Sequence, residues 1–192
     1  DKVLYGTAKV MAPTKKVRLP KVNAPQIQLF DPQARFKDLL ALADGMEAVR
    51  CAVVHPCDIE SLSGAMDAAA HGLIIPVLIG PEVRIRHLAQ ENELDLSKAE
   101  IISVPHSHAA AQKAADLAAT GEVEIIMKGS LHTDELIHAV LARPELRTGR
   151  RMSHVFRFDV PLYDKPLLIT DAALNIQPTL AEKVDIIQNA IN

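Results

Sequence analysis

The sequence is poor in large aromatic residues: Trp is absent and all aromatics make up only 3% of the 192 residues, while hydrophobic residues make up 48%. Cores built from Ala, Val, Leu and Ile suit helices packed on a buried sheet better than an all-β sandwich. The two cysteines, Cys51 and Cys57, are too few for a disulfide framework. The longest apolar run, GLIIPVLIG, contains a proline and is shorter than the roughly 18 residues of a membrane span. With no signal pattern at the start, we expect a cytoplasmic protein with no membrane partner.

Positive charge is concentrated at the start of the chain. Residues 1–22 carry six Lys and Arg residues against one Asp, although the whole chain has a net charge of −3. Basic tails can bind nucleic acid or anionic lipid, but prolines interrupt this one. We therefore interpret residues 1–30 as a linker and expect no nucleic-acid partner. Because the first residue is Asp rather than Met, we also expect a fragment of a longer polypeptide.

After residue 30 the hydrophobic pattern alternates between helix and strand. Apolar residues at helical spacing predict helices over 31–45, 58–72, 81–92, 107–121 and 133–142. Short apolar runs predict strands over 48–55, 73–80, 99–104 and 123–127. Asp58 and Ser107 are the expected N-caps of two of these helices. The alternation predicts an α/β fold with a mostly parallel sheet and helices on both faces.

The pattern changes near the end of the chain. The segments SHVFRFDVP and KPLLITDAAL predict two strands joined by a turn near residues 163–165, either an antiparallel edge or the start of a second lobe. Thr179 and Glu182 predict a capping box for a final helix. That helix carries one apolar stripe, formed by Leu180, Val184, Ile187 and Ile191.

The stretch IIMKGSLHTDELIHAVL, residues 125–141, raises the main functional question. Ligands of parallel sheets bind at the carboxyl ends of strands, where Lys128 could supply a charge, Gly129 an accessible backbone, and Ser130 or Thr133 a hydroxyl. The spacing is not that of a P-loop, and no GxGxxG motif for a nicotinamide cofactor occurs. The alternative is an ordinary strand-to-helix turn with the lysine in solvent. The local pattern leaves both interpretations open.

Other polar residues give weaker signals. The cluster Arg143, Arg147, Arg150 and Arg151 could bind phosphate groups or could form a solvated loop. His55 with the two cysteines does not make a metal site, because a fourth ligand is missing. A capping turn explains His106 and His108, and Asp171 and Asn175 follow a predicted strand, where functional residues and turn formers are both common.

Taken together, several stretches resemble the phosphate acetyltransferase/phosphate butyryltransferase family, in its butyryl-like branch. The resemblance runs from about Phe36 to the end and rests on MKG followed by a hydroxyl, on SH, and on TDAALN with PTL and a lysine after it. It implies exchange of acyl-CoA and inorganic phosphate with acyl phosphate and CoA, with CoA as a substrate and no cofactor. It also implies a two-lobed fold like that of isocitrate and isopropylmalate dehydrogenases, with a cleft between the lobes, and a homodimer.

The resemblance also implies a set of binding residues. Those expected at the phosphate or acyl-phosphate end are Lys128, Gly129, Ser130, His132 and Thr133. Those expected to complete the cleft are Arg150, Arg151, Ser153, His154, Asp171 and Asn175. Oriented donors and cations of this kind stabilise the oxyanion that forms in acyl transfer, so no metal is required.

In the family, the serine and aspartate assigned to oxyanion stabilisation and base catalysis lie on a segment beyond the last helix seen here. Residues 31–192 would then be the N-terminal portion of a phosphate acyltransferase domain, inactive alone. The basic segment APTKKVRLPKV resembles the linker that joins an enoyl-CoA hydratase-like domain to some members. The alternative function is therefore a non-catalytic CoA-binding or dimerisation module of such a fusion. A dehydrogenase of the related fold is disfavoured, because its pattern of metal-binding aspartates is missing.

Overall fold

The computed structural model describes residues 34–160, 163, 165–171 and 173–192, so the predicted linker over 1–30 lies outside the described residues. The chain forms two compact units, and they are described separately. The larger unit is Leu42–Arg151; the described part of the smaller one consists of helix α1 (Ala34–Ala41) and the described residues within Met152–Asn192.

The larger unit is built on a parallel sheet of four strands. In chain order its elements are β1 (Val49–Val54), α2 (Ile59–Ala70), β2 (Ile74–Gly80), α3 (Glu82–Glu91), β3 (Glu100–Ser103), α4 (Ser107–Ala119), β4 (Ile125–Lys128), α5 (Thr133–Leu141) and a short 3₁₀ helix (Pro144–Leu146). The strand order is β3-β2-β1-β4, and all neighbouring pairs are parallel. The predicted α/β alternation is confirmed element by element.

Helices cover both faces of this sheet, as the sequence predicts. Successive side chains of a strand point to opposite faces, and in β1 the alternate residues enter two different cores. Cys51 and Val53 pack in a buried cluster with α2 and α3. Ala52 and Val54 pack in another cluster with α4 and α5, where α4 presents a row of buried alanines. The small alanine side chains allow α4 to lie close to the sheet, which explains how a core almost without aromatics is filled.

The sheet has a topological switch point between β1 and β4. From β1 the chain adds β2 and β3 on one side and then returns to place β4 on the other side of β1. The helices that follow β1 and β4, α2 and α5, consequently pack on opposite faces. Open α/β sheets bind ligands at such a switch point, outside the carboxyl ends of the two strands. We call the place formed by residues 55–58 and 128–133, which adjoin the ends of β1 and β4, the switch crevice.

The smaller unit contains a separate two-stranded antiparallel sheet, β5 (Val155–Phe158) with β6 (Leu167–Thr170), and the last helix α6 (Leu180–Ile191). The pair is therefore not an edge of the parallel sheet. The predicted capping box is confirmed: Thr179 N donates to Glu182 Oε2 over 2.8 Å, and Glu182 N to Thr179 Oγ1 over 3.3 Å.

The apolar stripe of α6 is exposed among the described residues. Leu180 is 81% exposed and Ile191 72%, and of this helix only Ile186 is buried. The helical periodicity of the sequence correctly predicted that these apolar residues form a stripe on one face of the helix. It did not predict that this face would be exposed among the described residues.

Of the two other predicted helix caps, one is confirmed and one is wrong. Asp58 caps α2 by accepting a hydrogen bond from Ser61 N over 2.8 Å. Helix α4 is capped by His106, whose Nδ1 accepts from Ala109 N, instead of by Ser107. The Ser107 hydroxyl is used elsewhere: it donates to the carboxylate of Glu135 on α5 over 2.6 Å.

Candidate functional site

The junction that follows β4 is fastened to the end of β1. Lys128 is in register with Val54, the last residue of β1. Gly129 N then donates to the Val54 carbonyl and Ser130 N to the His55 carbonyl, each over 2.9 Å. The backbone of the switch crevice is thus held by an extension of the β1–β4 pairing.

Gly129 is required by this close approach. A Cβ atom at this position would lie 2.8 Å from the His55 carbonyl oxygen and still closer to that of Val54, distances that real Cβ atoms do not show. The amides of Gly129 and Ser130 already donate to protein carbonyls. These two amides are therefore engaged within the protein, and strand packing by itself requires the glycine; the expected place of Gly129 at the phosphate end stays a prediction.

Lys128 brings a positive charge to the edge of the crevice. Its side chain is exposed, and Nζ donates to the carbonyl of its neighbour Gly129 over 3.1 Å. That carbonyl carries no full charge, so this hydrogen bond leaves the ammonium able to bind an anion. An exposed lysine is also what the alternative of an ordinary strand-to-helix turn predicts, so the binding role of Lys128 stays a prediction.

Asp58 lies at the start of α2, three residues after His55. Hydrogen bonds from the Ser61 amide and hydroxyl lower the pKa of the Asp58 carboxyl most, and partial burial opposes them. A hydrogen bond from the Ser130 side chain and the positive charge of Lys128 lower this pKa further. The carboxylate is thus ionised near neutral pH and only accepts hydrogen bonds.

His55 is a crevice residue that sequence reasoning treated only as a weak metal candidate. Its φ of +54° is rare for a residue with a side chain. Four contacts hold it: N donates to the Ile79 carbonyl over 2.7 Å, the His55 carbonyl accepts from Ser130 N and from Cys57 N, and Nδ1 lies 2.8 Å from the Ser130 carbonyl oxygen. Because a carbonyl only accepts, Nδ1 carries the proton. The sequence carried one signal that could have identified these residues, which is their position along the chain. His55 and Asp58 follow strand β1, just as Lys128 stands at the end of strand β4.

His132 and Thr133 open helix α5 and are exposed. His132 is the N-cap but makes no side-chain capping bond. Glu135 accepts a hydrogen bond from the His132 backbone, and it pairs with His108 Nδ1 at 3.1 Å. The Ser107 hydroxyl, and then the charge of His108, lower the pKa of Glu135. Glu135 therefore ties the starts of α4 and α5 together beside the crevice.

A second cluster of expected site residues lies in the smaller unit. Asp171, just after β6, accepts hydrogen bonds from His154 N over 2.8 Å and from Asn175 N over 2.6 Å. Partial burial raises the pKa of Asp171, but the hydrogen bonds outweigh it and the pKa lies below its ordinary value. Asn175 Nδ2 also donates to the Met152 carbonyl, and Asn189 Nδ2 to Ser153 Oγ over 2.9 Å. Asp171 and Asn175 thus position the backbone around Ser153 and His154.

Replacing Asp171 with alanine is expected to free the backbone amides of His154 and Asn175. Amides that lose a charged acceptor become open to solvent, so their hydrogen exchange should accelerate by roughly tenfold or more. Exchange measured by NMR on both variants tests this. Asp171→Asn keeps one acceptor oxygen and should lie between wild type and Asp171→Ala; equal exchange in all three proteins would contradict the role of Asp171.

The arginine cluster divides into two parts. Arg143 pairs with Asp116 at 2.6 Å, and Arg147 donates to the Leu141 carbonyl, so both serve local structure. Arg150 and Arg151 are exposed.

Within the described residues, no group of three or more His, Cys, Asp or Glu side chains could hold a metal ion. No helix in that part of the chain is long and apolar enough to cross a membrane.

The fold and the crevice define a parallel α/β protein with its candidate site at a topological switch point. Residues 106–192 match the family described as phosphate acetyl/butaryl transferase. The matched segment contains all eleven site residues expected from the sequence, from Lys128 to Asn175. This portion of the chain belongs to that family.

Similar proteins agree with this assignment. The chain is 53% identical over 174 residues to a protein of Rickettsia felis named phosphate acetyltransferase, a match that covers 90% of this chain and 49% of that protein. It is 33% identical over 157 residues to phosphate butyryltransferase of Clostridium acetobutylicum, covering 81% of this chain and 52% of that protein. The crystal structure of a branched-chain phosphotransacylase from Enterococcus faecalis is 25% identical, with a TM-score of 0.59, over 74% of this chain and 49% of that one.

Two facts qualify the resemblance seen in the sequence. The chain spans about half the length of the curated relatives it matches. Of the two relatives described, the one named as an acetyltransferase is more similar than the one named as a butyryltransferase, so the comparison does not favour the butyryl-like branch. The likeness to dehydrogenases stays a prediction, because the similar solved structures named here, a phosphotransacylase and a phosphotransacetylase, do not test it.

Proposed function

We propose that this chain is part of a phosphate acyltransferase that exchanges acyl-CoA and inorganic phosphate with acyl phosphate and CoA. The observation that carries the proposal is the 53% identity to phosphate acetyltransferase over 174 residues. Because that relative is more similar than the butyryltransferase, acetyl is the favoured acyl group.

In this proposal the switch crevice binds the phosphate or acyl-phosphate group. Lys128 supplies the positive charge, and the pairing of Gly129 and Ser130 with β1 keeps the junction rigid. A rigid site loses little conformational entropy when a ligand binds. His132 and Thr133, at the exposed start of α5, are proposed to contact the same group.

Ser153 and His154 are proposed to bind another part of the substrates, supported by Asp171 and Asn175. Arg150 or Arg151 would assist with phosphate charge. In the reaction, the thiolate of CoA attacks the carbonyl of the acyl phosphate and phosphate leaves as an anion. Cations and fixed donors stabilise the charge that develops on the carbonyl oxygen and on the departing phosphate.

Replacing Lys128 with alanine is the direct test of the phosphate site. We expect the 192-residue chain to bind inorganic phosphate, with NMR shifts at residues 128–133, and Lys128→Ala to bind it roughly tenfold to a hundredfold more weakly, because a charged hydrogen bond is lost. The matched control is Lys98→Ala, which removes an exposed lysine of the same unit. Equal phosphate affinity in wild type and Lys128→Ala would refute this role.

A non-catalytic CoA-binding module is the second candidate function. A titration with CoA separates the two functions. If CoA binds and phosphate causes no shift at residues 128–133, the module is supported. If phosphate shifts these residues and Lys128→Ala removes the effect, the acyltransferase is supported.

A further inference from the structure

We propose that the imidazole of His55 is a positioning residue for the phosphate site: it holds Ser130 so that the serine hydroxyl donates to a bound phosphate. The inference rests on the proposed function and adds a residue to the same site. His55 lies outside residues 106–192, which match the family. Two hydrogen bonds that join His55 to the two sides of Ser130 carry the inference.

Both peptide groups that flank the Cα atom of Ser130 are bonded to His55. Ser130 N donates to the His55 carbonyl over 2.9 Å, and the Ser130 carbonyl accepts from His55 Nδ1 over 2.8 Å. The regular pairing of β1 with β4 ends at Val54 and Lys128, so the second bond is one that only the imidazole supplies. With both peptide groups fixed, the Cα–Cβ bond has a fixed direction. The hydroxyl then keeps only the staggered positions about χ1.

The backbone of His55 indicates that its side chain is used. Its φ of +54° is a conformation that costs free energy for a residue with a Cβ atom and that glycine adopts readily. Such conformations persist where the surrounding structure holds them, and they are concentrated at functional sites. Among the residues that the structure describes, the hydrogen bond to Ser130 is the only one that the His55 ring makes. The contact with Ser130 is therefore what this side chain contributes.

A fixed donor is worth more to a phosphate site than a mobile one. A hydroxyl that already points in the required direction loses little conformational entropy when the anion binds. Residues that hold a binding side chain in place thereby contribute to affinity without touching the ligand. Loss of one neutral hydrogen bond corresponds to a change in affinity of roughly threefold to tenfold, and we expect phosphate binding to weaken by that factor without the imidazole.

Two substitutions of His55 separate the side chain from the backbone. His55→Gly removes the imidazole and tolerates the positive φ. His55→Asn also tolerates this φ better than most residues, and its Nδ2 is bonded to Cγ as Nδ1 is in histidine, so it can donate to the Ser130 carbonyl. The matched control is His71→Gly. His71 belongs to the same unit and follows the last residue of α2, and its Nδ1 lies 2.8 Å from the Asp67 carbonyl oxygen.

Titration of the 192-residue chain with inorganic phosphate, followed by NMR at residues 128–133, measures the effect. His55→Gly should bind phosphate roughly threefold to tenfold more weakly than wild type, and His55→Asn and His71→Gly should stay within about twofold of it. In a Ser130→Ala background the hydroxyl is gone, so His55→Gly should cause no further loss. A merely structural role of His55 would weaken binding in both backgrounds.

Nitrogen-15 NMR of the wild-type ring tests the contact without any substitution. The neutral imidazole should carry its proton on Nδ1, because the Ser130 carbonyl only accepts. A neutral ring with its proton on Nε2 would overturn the inference even if His55→Gly failed to fold.

The outcomes separate this inference from the function on which it rests. If Lys128→Ala and His55→Gly both weaken phosphate binding, His55→Asn restores it and the Ser130→Ala background removes the effect, the inference holds. If Lys128→Ala weakens binding but His55→Gly does not, or His55→Asn fails to restore it, the inference is wrong and the phosphate site stands. If wild type shows no phosphate shifts at residues 128–133, or Lys128→Ala has no effect, the phosphate site is wrong and the inference falls with it.

Discussion

Replacing Gly129 with alanine is expected to reduce the free energy of unfolding of the larger unit by about 3 kcal/mol or more, an effect at the upper end for overpacked sites. The added methyl group would lie 2.8 Å from the carbonyl oxygen of His55 and closer still to that of Val54. Relief requires the backbone after β4 to move away from β1, which breaks the hydrogen bonds from Gly129 and Ser130. Urea denaturation followed by circular dichroism measures the change.

Gly149→Ala is the matched control for this substitution. Gly149 belongs to the same unit, a Cβ atom there meets nothing within 4 Å, and its φ does not require glycine. Its stability should stay within about 0.5 kcal/mol of wild type. Should Gly129→Ala unfold at the same denaturant concentration as Gly149→Ala, the close approach of β4 to β1 would not exist as described.

Replacing Leu62 with alanine is expected to lower the free energy of unfolding by about 2 to 5 kcal/mol. Leu62 lies on α2, is 0% exposed, and packs in the cluster formed with Val53 and Leu78 of the sheet and Ile85 of α3. Truncation leaves a cavity, because the sheet backbone cannot move in to fill it. The shift of the denaturation midpoint at constant slope measures the loss.

Val83→Ala serves as the comparison for Leu62→Ala. Val83 lies on α3 and is 84% exposed, so its truncation removes almost no buried surface. We expect a change of less than about 0.5 kcal/mol. A cost for Leu62→Ala no larger than that of Val83→Ala would mean that α2 does not pack on the sheet through this residue.

Much of the larger unit was predictable because the signals are local. A strand buried on both faces is a continuous apolar run, as in residues 73–80, and a helix that ends at a glycine with positive φ, as at Gly72 and Gly121, repeats its pattern over a few turns. Asp58 and the pair Thr179 and Glu182 were read correctly as caps for the same reason, since a cap acts within three residues. Ser107 was wrongly predicted as an N-cap, because its hydroxyl donates a hydrogen bond to a carboxylate on another helix.

Only some residues of the candidate site could be predicted from the sequence. Lys128, Ser130 and Asp171 were predicted as site residues from their positions after strands, and the structure adds His55 beside Ser130. No local pattern connects His55 with Ser130, because they are 75 residues apart and meet only through the pairing of β1 with β4. The exposure of the apolar stripe on α6 could not be predicted from the sequence either. Periodicity identifies an apolar face of a helix but does not identify what covers that face.

By itself the sequence determined the order and type of the elements, two of the helix caps and the family to which residues 106–192 belong. Hydrogen bonding and hydrophobic periodicity within an element depend on neighbours a few residues away, so they can be read along the chain. Only the tertiary structure decided the strand order, the reason for Gly129 and the contact of His55 with Ser130. These depend on contacts between segments far apart in the chain, and such contacts exist only once β4 has paired with β1.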